Sequence, residues 1–225
     1  MSFDVSLMLS FNIYTNLPKI IVMIAECQCL YRAKEIGYSW DVKTCTEILS
    51  AWAKQAERGS KEAALRSREW LERMEAKANK EGIENNGCRP NLISYTTVLH
   101  AYASARDIDQ AEKAEQLLLD MEKSKNIEPD VVAYSTCMNA YAKAGKPHKA
   151  EKLLYKLEEL HEEERPDGTR YQPNVYTYTT ILSAYSHAKS PEKAESVLER
   201  MQKRYQSGYI GAKPTTASYV SSNNI

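Results

Sequence analysis

Four stretches of this chain repeat one another in register, and a fifth begins before the chain stops; nothing else restricts the fold as tightly. Pro90-Asn-Leu-Ile-Ser-Tyr-Thr-Thr-Val-Leu-His-Ala-Tyr102 aligns with Pro129-Asp-Val-Val-Ala-Tyr-Ser-Thr-Cys-Met-Asn-Ala-Tyr141. Both align with Pro173-Asn-Val-Tyr-Thr-Tyr-Thr-Thr-Ile-Leu-Ser-Ala-Tyr185. A weaker copy runs from Trp40 to Trp52, and Pro214-Thr-Thr-Ala-Ser-Tyr219 opens a fifth. A second block follows each copy: Ala114 to Met121, Ala150 to Leu157, Ala194 to Met201, and a degenerate Ser67 to Met74. The unit therefore has two elements, A and B.

Both elements carry helical periodicity. Tyr95, Val98, Leu99 and Tyr102 fall at i, i+3, i+4 and i+7, as do Ala114, Leu117, Leu118 and Met121, and the period-two alternation of strands is absent. Each A element is preceded by a proline and then by Asn91, Asp130 or Asn174, residue types that cap helix N-termini. Ala144-Gly145-Lys146-Pro147 and Lys189-Ser190-Pro191 are short breaks, as an antiparallel helical hairpin requires. One such hairpin cannot bury its apolar stripes alone, whereas stacked hairpins bury a continuous core. The expected fold is all-α, a right-handed α-solenoid of tandem antiparallel helical hairpins.

The copies start 50, 39, 44 and 41 residues apart, counting from residue 41 to 91, 130, 174 and 215. The surplus is placed at the A–B turn around Arg58 to Ser60 and in polar loops at Lys80 to Arg89 and His161 to Gln172. The expected repeats are 40–89, 90–128, 129–172 and 173–213, with a truncated first helix at 214–225. Residues 1–39 do not match the repeat, and the stretch from Leu17 to Ile36 can supply one capping helix. An A helix with no partner at the end makes a fragment of a longer protein the expectation.

Composition removes several classes. Lys plus Arg is 30 and Asp plus Glu is 30, so broad electrostatic attraction to nucleic acid or membrane is not how this chain binds; selected positions must do it. The five cysteines, Cys27, Cys29, Cys45, Cys88 and Cys137, show neither zinc-site nor disulfide-framework spacing, and read as reduced thiols of a non-secreted protein. The four histidines form no ligand pattern. The most apolar stretch, Leu17 to Tyr31, is too short for a bilayer and is broken by Lys19, Glu26 and Gln28. No signal or transit peptide is visible at the N-terminus. No catalytic constellation or phosphate-cradling glycine loop is present, so neither an enzyme, a cofactor nor a small-molecule substrate is expected.

The pattern Pro-Asn/Asp-x-x-x-Tyr-Ser/Thr-Thr-x-Leu/Met-x-Ala-Tyr, followed by Ala-Glu-x-x-Leu-x-x-Met/Leu, resembles the pentatricopeptide repeat over residues 40 to 219. The related tetratricopeptide repeat fits less well, because its Trp-x-x-Leu-Gly-x-x-Tyr helix is absent. The resemblance implies binding of single-stranded RNA at one base per repeat, in an adaptor for RNA processing, stabilisation or translation in the mitochondrion or chloroplast.

It also implies site residues. The first base reader is the residue after the A-helix tyrosine: Thr96, Ser135 and Thr179, with Thr46 in the weak copy. The second follows the proline opening the next copy, giving the pairs Thr46 with Asn91, Thr96 with Asp130, Ser135 with Asn174, and Thr179 with Thr215. By resemblance Thr or Ser with Asn favours adenine and Thr with Asp guanine, so the target reads 5′-A-G-A-N-3′. Asp130 can accept hydrogen bonds from guanine N1–H and N2–H₂, which adenine lacks. The stacking wedge is Ile93, Val132 and Tyr176, with Lys43 departing from the apolar type in the first copy, where Trp40 and Cys45 also replace proline and tyrosine. Lys54 and Lys143 follow the Ala-Trp-Ala and Ala-Tyr-Ala triplets and can reach phosphate; Ser104 and His187 are the weaker equivalents.

Blander readings stand beside these. The tyrosines at 95, 134, 178, 102, 141 and 185 lie on the packed stripe and belong to the core. Asn91, Asp130 and Asn174 can be N-caps, and the Glu/Lys-rich faces of the B helices read as solvated surface. The alternative function is a solenoid scaffold holding a protein partner without RNA.

Overall fold

The computed structural model describes residues 42–81, 88–124, 126–163, 169–216 and 218–219. Cys27, Cys29 and the expected capping helix from Leu17 to Ile36 lie outside the described residues, as does most of the Glu162–Gly168 loop. Eight α-helices and a 3₁₀ turn follow one another among the described residues, with no strand. Along the chain the helices are α1 (Val42–Glu57), α2 (Lys61–Glu81), α3 (Leu92–Ser104), α4 (Ile108–Lys123), α5 (Val131–Lys143), α6 (Pro147–Glu163), α7 (Val175–His187) and α8 (Pro191–Gln206). The 3₁₀ turn is Ile210–Ala212.

The chain divides into two compact units, residues 1–90 and 91–225. In the first, α1 lies against α2. The α1 stripe Cys45, Ile48, Leu49, Trp52, Ala53 and Ala56 is buried at helical spacing, and Ala63, Ala64, Trp70, Leu71 and Met74 are buried on α2. In the second unit α3, α5 and α7 form a row in which α5 touches both neighbours, and each A helix also lies against its own B helix. That arrangement buries the A helices on several sides. Ala133 to Met138 of α5 are all buried, as are Ala140 and Tyr141. The B helices bury one stripe each, such as Ala114, Leu117, Leu118 and Met121 in α4 and Ala194, Val197 and Met201 in α8.

The tyrosines expected in the core are there: Tyr134, Tyr141, Tyr178 and Tyr185 have no exposed surface, and Tyr95 and Tyr102 are buried.

Helix starts follow the capping residues. Asn91, Asp130 and Asn174 each accept the backbone N–H three residues on, at 3.0, 2.9 and 3.1 Å. Ser94 and Thr177 complete capping boxes with Asn91 and Asn174. The loop expected at Lys80 to Arg89 is shorter than anticipated, because α2 continues to Glu81 and is 21 residues long against 16 in α4 and α8. Its last stretch, Glu75 to Glu81, is built mostly of Glu, Ala and Lys, which are good helix formers, so the helix absorbs part of the insertion. Likewise His161, Glu162 and Glu163 are the last turn of α6 rather than loop.

Candidate nucleic-acid interface

The first turn of α3, α5 and α7 assembles the same set of groups. Ile93, Val132 and Tyr176 stand at the second helical position and are 62%, 48% and 56% exposed. Three residues later, on the same helix face, come Thr96, Ser135 and Thr179. Their hydroxyls donate back to the carbonyls four residues earlier: Thr96 to Leu92 at 3.0 Å, Ser135 to Val131 at 2.5 Å and Thr179 to Val175 at 2.8 Å. Thr46 does the same to Val42 at 2.6 Å in α1. With the hydrogen committed to the backbone, each oxygen is left as an acceptor. Ser135 is the most enclosed of the four, at 5% exposure, whereas Thr46, Thr96 and Thr179 are half-buried.

The caps leave the other half of each second reader unused. Asn91 and Asn174 present the side-chain oxygen to the helix, which fixes the amide orientation and turns the NH₂ away as a donor. Asp130 commits Oδ1 to the Ala133 N–H, and Oδ2 accepts no hydrogen bond among the described residues. Capping and reading are thus compatible on one side chain. Thr215 is exposed; its N–H donates to Ser218 Oγ at 3.3 Å.

Lys43, Lys54 and Lys143 are exposed. Lys54 and Lys143 follow Thr46 and Ser135 by eight residues, about 12 Å along the helix axis. At the two equivalent positions the polar atoms are turned to the helix backbone, Ser104 Oγ donating to the His100 carbonyl at 2.8 Å and His187 Nδ1 lying 2.6 Å from the Ser183 carbonyl.

A second row of hydroxyls escaped the sequence reading. Thr97, Thr136 and Thr180 donate to the carbonyls of Ile93, Val132 and Tyr176 at 2.7, 2.8 and 2.8 Å, so each wedge residue is followed by two hydroxyls within one turn. The signal was the Thr-Thr or Ser-Thr pair in every strong copy.

Behind this surface the repeats are held by polar contacts that centre on buried tyrosines. Tyr134 of α5 donates to Glu122 of α4 at 2.6 Å, and Tyr178 of α7 to Glu158 of α6 at 2.6 Å. From the following B helix, Lys156 Nζ sits 2.6 Å from Glu122 and Arg200 Nε 3.5 Å from Glu158. A parallel rung two turns on joins Tyr141 to Glu115, and Tyr185 to Glu151 at 2.5 Å. Burial, reinforced by the glutamate, pushes all four tyrosine hydroxyls well above their usual range. The B-helix faces expected to be plain solvated surface therefore carry inter-repeat contacts, and Glu158 is buried.

Among the described residues no group of three His, Cys, Asp or Glu is placed to hold a metal, and no helix is long and apolar enough to cross a membrane.

No curated protein matches the chain. Among solved structures, the pentatricopeptide repeat protein PPR10 from maize aligns with a TM-score of 0.59 at 24% identity, covering 86% of this chain and 23% of that one. PPR10 in complex with an 18-nt psaJ RNA element aligns with a TM-score of 0.60 at 22% identity over the same shares. The chain thus spans about a quarter of the length of these structures, and shares their helical-repeat solenoid fold. Family models agree with the geometry repeat by repeat. A PPR repeat family model matches residues 90–143, a PPR repeat model 132–161, and a pentatricopeptide repeat domain model 167–219. These spans take in all three strong copies of the hairpin, and with them the chain belongs to the pentatricopeptide repeat family.

Proposed function

We propose that this chain binds single-stranded RNA through the first turns of its A helices. The observation that carries the reading is the exposure of Ile93, Val132 and Tyr176. A large apolar side chain left in solvent at one repeat position, three times over, serves no core. Beside a row of hydroxyl acceptors it suits an unstacked base, which needs an apolar surface for its face and polar partners for its edge.

The cap chemistry supports a base preference. An outward Asn NH₂ is a donor and matches adenine N1, an acceptor. An outward Asp carboxylate is an acceptor and matches guanine N1–H and N2–H₂. Within residues 91–225 the pair Ser135 with Asn174 then takes adenine, and Thr96 with Asp130 takes guanine. Thr179 with Thr215 has no defined partner. Lys54 and Lys143 contribute phosphate contacts, and the PPR10 structure that holds an RNA element supports the same ligand class here. Family membership supports an adaptor role in RNA processing, stabilisation or translation in the mitochondrion or chloroplast as part of this proposal.

The test is a titration of the chain against a single-stranded RNA carrying A-G-A and against one carrying A-A-A, at two salt concentrations. A-G-A binds more tightly, and Asp130→Asn moves the preference to A-A-A by about 1 to 3 kcal/mol, the scale of one bidentate edge contact. The salt slope stays shallow, reflecting few phosphate contacts. Equal or absent binding by the folded, helical chain overturns the reading and leaves the protein-binding scaffold.

A further inference from the structure

The first repeat departs from the others at two positions that touch. Cys45 occupies the place held by Tyr95, Tyr134 and Tyr178 in the later A helices. Cys88 stands two residues before Pro90, the place held by Ile127, Tyr171 and Ala212 before the later prolines. In the third repeat these two positions are in contact: Tyr134 and Tyr171 meet edge to face with centroids 6.3 Å apart. In the first repeat the same contact brings the two sulfurs to 2.9 Å, both side chains 1% exposed and neither in a disulfide. Two cysteines thus replace a bulky pair at one shared contact, and their separation exceeds a covalent S–S bond by only about 1 Å.

We propose that Cys45 and Cys88 form a reversible thiol–disulfide site. The oxidant class is a small-molecule disulfide such as oxidised glutathione. One cysteine, as thiolate, attacks a sulfur of the small disulfide, forming a mixed disulfide and expelling one glutathione thiolate. The second cysteine thiolate attacks the protein sulfur of that mixed disulfide and expels the other. Two electrons pass from the protein thiols to the small disulfide, and the two protein protons leave on the two glutathione thiols. Because both sulfurs are buried, reaction waits on local opening around the start of α1 or the Cys88 turn. The bond closes a covalent loop containing all of α1 past Cys45 and all of α2, and constrains the unfolded chain accordingly. The spacing of the cysteines along the sequence gave no hint of the pair, because 43 residues separate partners that only the repeat brings together.

The experiment uses the full chain without substitution, equilibrated in buffers of stepped oxidised-to-reduced glutathione ratio, quenched by alkylation and mapped by peptide mass spectrometry. The expected product is a peptide pair joined through Cys45 and Cys88, lighter by two hydrogens, reversed by dithiothreitol. The oxidised chain melts about 5 °C or more above the reduced one. In a Cys27→Ser, Cys29→Ser, Cys137→Ser variant the same bond forms with no other thiol available. No linkage in the folded chain, linkage that appears only in denaturant, or preferential pairing of either cysteine with another thiol overturns the proposal.

Discussion

At the scale of single residues, the informative side chains are those with two jobs. Asn174 caps α7 through its oxygen and leaves its NH₂ outward. Asp caps as well as Asn does. Asn174→Asp therefore leaves the urea midpoint nearly unchanged, while on the proposed RNA reading the preference at the pair with Ser135 turns from adenine to guanine. Asn174→Ala loses both, at about 1 kcal/mol of stability. Equilibrium unfolding beside RNA titration separates the two effects. Glu158 is the opposite kind of residue, with no role at the surface and several inside. It accepts from Tyr178 at 2.6 Å and faces Arg200 Nε at 3.5 Å and Arg204 Nε at 3.4 Å. Glu158→Ala leaves two guanidinium groups and a hydroxyl without their shared acceptor, and costs about 3 kcal/mol. Tyr178→Phe removes one hydroxyl and leaves the ion pairs, at about 1 kcal/mol. A chemical-denaturation comparison of the two variants checks the order. The caps and the core tyrosines were legible in the sequence because they recur in register. Glu158 was not, because a glutamate in a Glu/Lys-rich helix looks the same whether it faces water or the next repeat.

At the scale of the elements, the A–B turns repeat one backbone feature with different residues. Gly59, Gly145, Arg106 and Lys189 all take positive φ, at 94°, 69°, 51° and 53°. Glycine adopts this conformation freely, and for an L side chain it costs about 1 kcal/mol. Lys189→Gly and Arg106→Gly therefore each stabilise the chain by about 0.5 to 1 kcal/mol, less the added entropy of the unfolded chain. Gly145→Ala, with open space around the position, loses about 1 kcal/mol through backbone conformation alone. Thermal melts of the three variants settle the sign. The sequence marked the breaks at Gly145 and at Lys189-Ser190-Pro191, but not the positive φ of Arg106 and Lys189, since arginine and lysine carry no signal for that conformation. Helix starts were readable for a related reason, the strong copies being marked by Pro and Asn or Asp. Helix ends were not: Lys80 and His161 sit among residues that favour helix as readily as loop, and α2 and α6 ran on through them.

At the scale of the molecule, stability in a repeat stack is carried by contacts between neighbours, and here those contacts are chemically alike. Within residues 91–225 four buried tyrosines, Tyr134, Tyr141, Tyr178 and Tyr185, each donate to a glutamate of the preceding B helix. A donor must keep its proton, and a tyrosinate beside a carboxylate is repelled by it. Burial and the glutamates accordingly raise all four hydroxyls above the ordinary value of 10.0. Above pH 10 the unfolded chain releases these protons and the folded chain retains them, so the folded state binds more protons and stability falls as pH rises. The contribution is complete below pH 10 and declines from there upward through the raised range. Each tyrosine removes at most about 1.4 kcal/mol per pH unit. Screening by water at the half-buried partners Glu115, Glu122 and Glu151 narrows the pH range over which this loss runs without changing its slope. Together the four remove at most about 5 kcal/mol per pH unit, a large share of the stability of an ordinary domain. Urea midpoints are therefore flat in their tyrosine contribution up to about pH 9 and fall steeply beyond about pH 10, with loss of helical circular dichroism and the ultraviolet tyrosinate signal appearing together. Replacing the four tyrosines by phenylalanine lowers stability at neutral pH, because four glutamates lose a donor, yet flattens the alkaline limb. A steep limb that survives the replacement would place alkaline sensitivity outside these four hydroxyls.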